Sequence, residues 1–161
     1  MPAEVTIRPA RADDAPGLTA VKVASWREAY KGIFPDEFLL SLDYPAQYWD
    51  RHLEGLVVAA DGSQLLGYCS HAPADDEGWG EIRAIYVHPD HQGEGIGSRL
   101  LAEGLSGLRE RGFGRALLWV IDSNHQARGF YEASGFVVGA PFRLEDIGGT
   151  HVTLLRYELS F

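Results

Sequence analysis

At 161 residues, 45% of them hydrophobic and 23% charged, the chain is long enough to bury a core as one domain over residues 1–161 and too apolar to stay disordered. A formal net charge of −9 speaks against nucleic-acid binding, which calls for a basic face. No apolar run approaches the roughly 18 residues of a membrane span, the start MPAEVTIRPA lacks the pattern of a signal peptide, and the lone Cys69 precludes an internal disulfide; a cytoplasmic protein is expected.

In chain order, residues 5–8 read as a short strand. Arg11-Ala12-Asp13-Asp14 offers a helix start with acidic residues in its first turn. Leu18, Val21 and Ala24 then recur at helical spacing, followed by Trp26, Tyr30 and a break near Gly32. A second helix is expected over 35–42, with Pro35 near its start, and a third short turn over 48–53. Residues 55–60 and 64–71 are apolar runs around Asp61-Gly62-Ser63, the pattern of a hairpin. After a polar loop over 72–78 come a strand (80–88), a helix (95–111), a strand (116–122) and a helix (124–134). Strands at 136–139 and 151–159, separated by a loop around Gly148-Gly149, complete the chain. Strands and helices mixed in this order, with hairpins on both sides of a β-α-β-α core, give an α+β (α/β-type) fold on a mixed sheet.

The segment VHPDHQGEGIGSRLL places glycine at 93, 95 and 97 between the strand and the helix. Ile96, Leu100, Leu101, Leu105 and Leu108 form one apolar face of that helix. The turn ahead of it exposes unpaired N–H groups at the positive end of a helix dipole, and glycines let an anionic ligand approach. A dinucleotide fingerprint fails here, because Ser98 or Leu100 stands where the last glycine belongs. A phosphate loop of the nucleotide-hydrolysing kind fails for want of a lysine.

The element that fits is Gln92-Gly93-Glu94-Gly95-Ile96-Gly97, a Q-x-x-G-x-G pattern. It resembles the acetyl-CoA-binding turn of the GCN5-related N-acetyltransferase (GNAT) family. Residues 82–89 (IRAIYVHP) resemble the strand leading into that turn. About thirty residues on, NHQARGFYEASGF, from Asn124 to Phe136, resembles the family's second signature, N-x-x-A-x-x-F/L-Y-x-x-x-G-F. The resemblance covers residues 80–136 specifically and implies a GNAT-like, mostly antiparallel sheet of about seven strands. Its central strands, 80–88 and 116–122, splay apart, and about four helices flank it.

The implied activity is transfer of an acetyl group from acetyl-CoA to a primary amine, of a small molecule or a protein, by direct attack on the thioester. A non-catalytic acyl-CoA-binding sensor of the same fold is the alternative. The resemblance assigns the cofactor to Ile85, Tyr86, Val87, Gln92, Gly93, Glu94, Gly95, Ile96, Gly97, Ser98, Asn124 and Tyr131. Tyr131 is also implied as proton donor to the departing thiolate: a phenol at about pKa 10 facing a thiol at about 8.5. Ser123 and Gln126 make a capping-box pattern, so Asn124 doubles as part of a helix start.

An amine of pKa about 10.4 must lose a proton before it attacks. Glu81 is the leading candidate for the base, and Asp122, His71 or water are the alternatives. Trp26, Tyr30 and Phe34, at i, i+4 and i+8, either wall an aromatic pocket for the amine or pack into the core. Residues 1–82 hold 6 Lys/Arg against 14 Asp/Glu, which leans towards a small polycation as acceptor. No metal is expected: Pro89 between His88 and His91 marks a turn rather than a ligating helix. A membrane partner is not expected, and the family implies either a monomer or a homodimer.

Overall fold

The computed structural model describes residues 4–161. Strand β1 (Thr6–Pro9) leads through a 3-10 turn (Ala12–Asp14) into helix α1 (Ala15–Ala29), and α2 (Asp36–Ser41) and α3 (Ala46–Asp50) follow. Strands β2 (Leu56–Asp61), β3 (Gln64–Pro73) and β4 (Gly80–Val87) form a meander. Helix α4 (Ile96–Glu110), strand β5 (Arg115–Ile121) and helix α5 (His125–Ala133) come next, and β6 (Val137–Val138), β7 (Arg143–Ile147) and β8 (Thr150–Ser160) close the chain.

The sheet runs β1-β2-β3-β4-β5-β8-β6, with β7 also paired to β8. Every pairing is antiparallel except β4 with β5. This is the mixed, mostly antiparallel sheet expected, with one strand and one helix more than the approximate numbers read from the sequence.

Helices cover both faces. Val57 and Ala59 of β2 face the cluster of Ile82, Leu100, Leu108 and Leu118, while Leu56, Val58 and Ala60 face Leu18, Val21, Trp49 and Tyr68. A strand buried on both sides has no polar face to show, which is why LVVAA reads as a continuous apolar run. The apolar face of α4 is seated as expected: Leu100 and Leu108 are fully buried, each contributing about 1.5–3 kcal/mol of hydrophobic stabilisation.

Two expectations are corrected. The segment around Gly148-Gly149 is a hairpin turn, not the middle of a loop, because Arg143–Ile147 pairs with Thr150–Leu154. Four of the five β7 residues are exposed, so this strand is held by its backbone ladder and leaves no hydrophobic alternation to read. Helix α5 is capped by Asn124, whose Oδ1 accepts the Ala127 N–H at 3.2 Å. The Ser123–Gln126 capping box does not form: Gln126 instead donates to Gln92 at 3.0 Å.

Candidate active site

The site begins with a missing stretch of sheet. β4 and β5 pair only at Gly80 with Ala116 and Glu81 with Leu117, after which β4 leaves its neighbour. The cause lies on the other edge of β4. Its register against β3 jumps from Ser70–Ala84 to His71–Ile82, leaving Arg83 without a partner. Such a bulge bends its strand and re-aims the side chains on either side. β5 meanwhile stays paired with β8 as far as Ile121, so a gap opens beside residues 84–87.

At the far end of β4 the chain enters a 3-10 turn (Pro89–His91), with the His88 ring accepting the Asp90 N–H at 3.1 Å. Gly93 and Gly95 follow, both at φ +79°, a left-handed backbone that favours glycine. Gly97 is different. Its φ is helical, and an added Cβ would meet only Phe130 at 3.5 Å and Val87 at 3.7 Å, ordinary contacts. The protein's own packing therefore does not demand a glycine there, and the missing side chain leaves the helix start open to an incoming group. Arg99 is the first residue of α4 whose N–H reaches a carbonyl of its own helix, that of Gly95 at 3.3 Å. The N–H groups of Ile96, Gly97 and Ser98 are left to point at the space ahead. That space is a cavity of about 320 Å³, walled by the 85–87 edge of β4, the glycine turn, Ser25 and Ala29 of α1, and Asn124, Gln126, Ala127, Phe130 and Tyr131.

A second, smaller cavity of about 160 Å³ lies on the other side of the gap, among Trp26, Tyr30, Trp119, Ile121, Ile147 and Leu154. Ile85, Tyr86, Asn124, Ala127 and Tyr131 line both cavities. A third, about 610 Å³ and lined by charged residues including Glu81, adjoins the second at Arg83 and Trp119. Sharing these residues, the three adjoin in series beside the parted strands as one passage, and Tyr131 stands where the first and second meet. The Tyr131 ring is packed against Phe130, Phe136 and Tyr157, and its hydroxyl has no hydrogen-bond partner among the described residues. Burial raises its pKa far above that of a free phenol, so it stays protonated.

The passage gathers most of the residues expected from sequence. Ile85, Tyr86, Val87, Gln92, Gly93, Gly95, Ile96, Gly97, Ser98, Asn124 and Tyr131 all line the first cavity. Glu94 does not: it is exposed, with its carboxylate 3.5 Å from the His91 ring. Trp26 and Tyr30 line the second cavity, with Trp26 Nε1 donating to the Tyr86 hydroxyl at 2.9 Å. Phe34 is core, 2% exposed and stacked on Trp26. Helix α1 ends at Ala29, so Phe34 enters through a turn and not along a helical stripe.

Of the base candidates, Glu81 sits in the third cavity, and burial raises its pKa against the opposing pull of Arg83 and Arg143. Asp122 is exposed and lines none of the three cavities. His71 lies on the opposite face of the sheet, pressed against Gly107 of α4. Its Nδ1 is unpartnered among the described residues, and burial together with Arg111 lowers its pKa. It does not face the gap, because the bulge puts it in register with Ile82, on the side of α4. Cys69 is a fully buried core residue whose thiol burial pushes up to about 12, as inert as its sequence context implied.

Sequence reasoning missed Ser25, Trp119 and Arg143. Ser25 carries the one signal that was available: a serine at i+4 from Val21 on the buried stripe of α1, where it donates to the Val87 carbonyl at 3.3 Å.

Residues 23–136 match the acetyltransferase (GNAT) family. The chain belongs to that family. This GNAT chain is 37% identical over 136 residues to the uncharacterized N-acetyltransferase YuaI of Bacillus subtilis (strain 168), covering 80% of this chain and 78% of that one. Its fold is that of the PaiA N-acetyltransferase from Thermoplasma acidophilum in complex with coenzyme A, with a TM-score of 0.78 at 22% identity over 98% of this chain and 99% of that one. It is also that of YncA from Salmonella typhimurium with its cofactor acetyl-CoA, with a TM-score of 0.71 at 21% identity over 97% and 93%. N-acetyl transfer from acetyl-CoA, the activity that the two sequence motifs implied, comes with membership of the GNAT family. No helix among the described residues is long and apolar enough to cross a membrane.

Proposed function

We propose that this chain, one domain working in the cytoplasm, transfers the acetyl group of acetyl-CoA to a primary amine of a small molecule or a protein, the amine attacking the thioester directly. The single observation that carries the reading is the parting of β4 and β5 beside two adjoining cavities that share Tyr131, which suits a donor in the first and an acceptor in the second meeting at that residue.

The residues fit the donor. The free N–H groups of Ile96, Gly97 and Ser98, at the start of a fifteen-residue helix, suit a pyrophosphate. The β4 edge beside the gap offers backbone groups to the pantetheine arm, and an N–H among residues 85–87 serves as donor to the thioester oxygen as it gains charge. Acetyl-CoA supplies an acyl carbon activated by its sulfur; the chain supplies position, dryness and protons.

As the new C–N bond forms and the C–S bond breaks, the amine's proton passes by way of water to Glu81. The Tyr131 hydroxyl gives its proton to the departing sulfur. Burial keeps Tyr131 neutral and its oxygen is not engaged elsewhere among the described residues, so its O–H is available to the sulfur as the C–S bond breaks, and water returns the proton to its oxygen afterwards. Glu81 suits its role because burial raises its pKa towards the range in which a carboxylate accepts a proton usefully. The two line different cavities, Tyr131 the first and second and Glu81 the third.

The test is release of free CoA thiol from acetyl-CoA in the presence of primary amines. Amine-dependent thiol release with one acetyl group gained per thiol, read by mass spectrometry, is the expected result. Tight acetyl-CoA binding without turnover on any amine marks a sensor instead.

A further inference from the structure

The charges on the wall of the third cavity sort by whether they already have a partner. Arg156 is nearly buried and bonds Asp76 at 2.6 Å and Glu158 at 2.7 Å, so it and Asp76 satisfy each other. Arg83 and Arg143 are not placed this way. Arg83 Nε stands 3.8 Å from the Glu81 carboxylate and Arg143 Nη1 stands 4.0 Å from that of Glu145, both beyond hydrogen-bond reach. Neither guanidinium donates a hydrogen bond to another side chain among the described residues. Arg143 is held over the Trp119 ring, 4.1 Å from its centroid, a cation–π contact that orients the group and leaves its N–H edge open. Arg83 is the extra residue of the β4 bulge. The same irregularity that parts the sheet thus sets a guanidinium at the mouth of the gap, where Arg83 and Trp119 line both the second and third cavities.

We propose that the acceptor is an amine that also carries a carboxylate, an amino-acid-like molecule whose carboxylate is held by Arg83 and Arg143 while its amine reaches through the gap towards Tyr131. The inference rests on the acetyl-transfer reading above and narrows its acceptor. A guanidinium presents paired N–H groups in a fork that matches the two oxygens of a carboxylate. Two such forks, half exposed and free to close on a ligand, face one cavity. Asp75 and Glu81 line the same cavity, so the wall carries both signs of charge, as a zwitterion does. A polyamine would set one of its cations against both arginines. The net charge of −9 attracts cations at long range, but within a Debye length of about 8–10 Å the local wall decides.

The experiment measures CoA release at saturating acetyl-CoA with the common L-amino acids, their carboxamides and linear polyamines, for wild type, Arg143→Gln, Arg143→Lys and Arg83→Gln. Wild type is expected to prefer at least one amino acid over its carboxamide by about tenfold or more in kcat/KM. Arg143→Gln and Arg83→Gln should each collapse that ratio through KM rather than kcat. Arg143→Lys, which keeps the charge and loses the fork, should restore only part of it. Carboxamides or polyamines turned over as well as or better than the amino acids overturn the inference and leave acetyl transfer standing. An amino-acid preference that survives both glutamine substitutions also overturns it. No CoA release with any of the three sets, by protein that binds acetyl-CoA in calorimetry, overturns this inference and leaves acetyl transfer to be tested on protein amines.

Discussion

The side-chain amide of Asn124 reaches the Tyr30 hydroxyl at 3.4 Å while its carbonyl caps helix α5 through the Ala127 N–H at 3.2 Å. One side chain thus ties the start of α5 to the end of α1 across the top of the passage. The two halves of the amide separate by substitution. Asn124→Asp keeps an oxygen for the cap, which the helix dipole favours further, and loses the donor. It should melt within about 3 °C of wild type yet raise the KM for acetyl-CoA. Asn124→Ala loses both and should also cost about 1 kcal/mol of stability. Equal KM values for Asn124→Asp and wild type would remove Asn124 from the donor site.

Tyr131→Phe removes one oxygen from a ring that stays packed against Phe136 and Tyr157. The prediction is a kcat lower by about 10²-fold or more, with acetyl-CoA affinity by calorimetry unchanged. A fall in affinity with an unchanged kcat would make Tyr131 a wall residue and not an acid.

Glu81 gives a pH prediction with a definite sign. Burial raises its pKa above the ordinary 4.5, and the base acts in its charged form. Activity should therefore fall on the acid side of a midpoint lying above that of a free carboxylate. Glu81→Gln should lower kcat and flatten this acid limb, while the acetyl-CoA KM stays as in wild type. A full acid limb persisting in Glu81→Gln assigns the proton to another group. The linkage runs the other way for stability: a carboxylate with a raised folded-state pKa binds more protons folded than unfolded. Its contribution therefore weakens as pH rises through that window.

How much of this was legible in the sequence depended on whether a residue's role is local. The Gln92–Gly97 turn, the Leu100–Leu108 face of α4 and the Asn124–Phe136 run each announce themselves through spacing within one element, and the fold places most of their residues, though not Glu94, along the first cavity or in the core. The bulge at Arg83 does not, because nothing in IRAIYV marks where the ladder against β3 slips. Nor does the charged wall, which joins Arg83 and Glu81 of β4, Trp119 of β5 and Arg143 of an exposed strand without hydrophobic alternation. Phe34 misled because i, i+8 spacing looks helical although α1 stops at Ala29. His71 misled because a single bulge switches which face of the sheet a strand position shows.

The most direct test of the donor site is calorimetric titration of acetyl-CoA into wild type and Gly97→Trp. An indole grown from Gly97 starts between Phe130 and Val87, both of which line the first cavity, and so fills the space ahead of the free N–H groups of α4. Wild type is predicted to bind with a Kd on the order of micromolar. The variant should give no binding heat while unfolding within about 3 °C of wild type. Absence of binding to wild type, or equal binding to both proteins, would contradict the assignment of acetyl-CoA to this cavity.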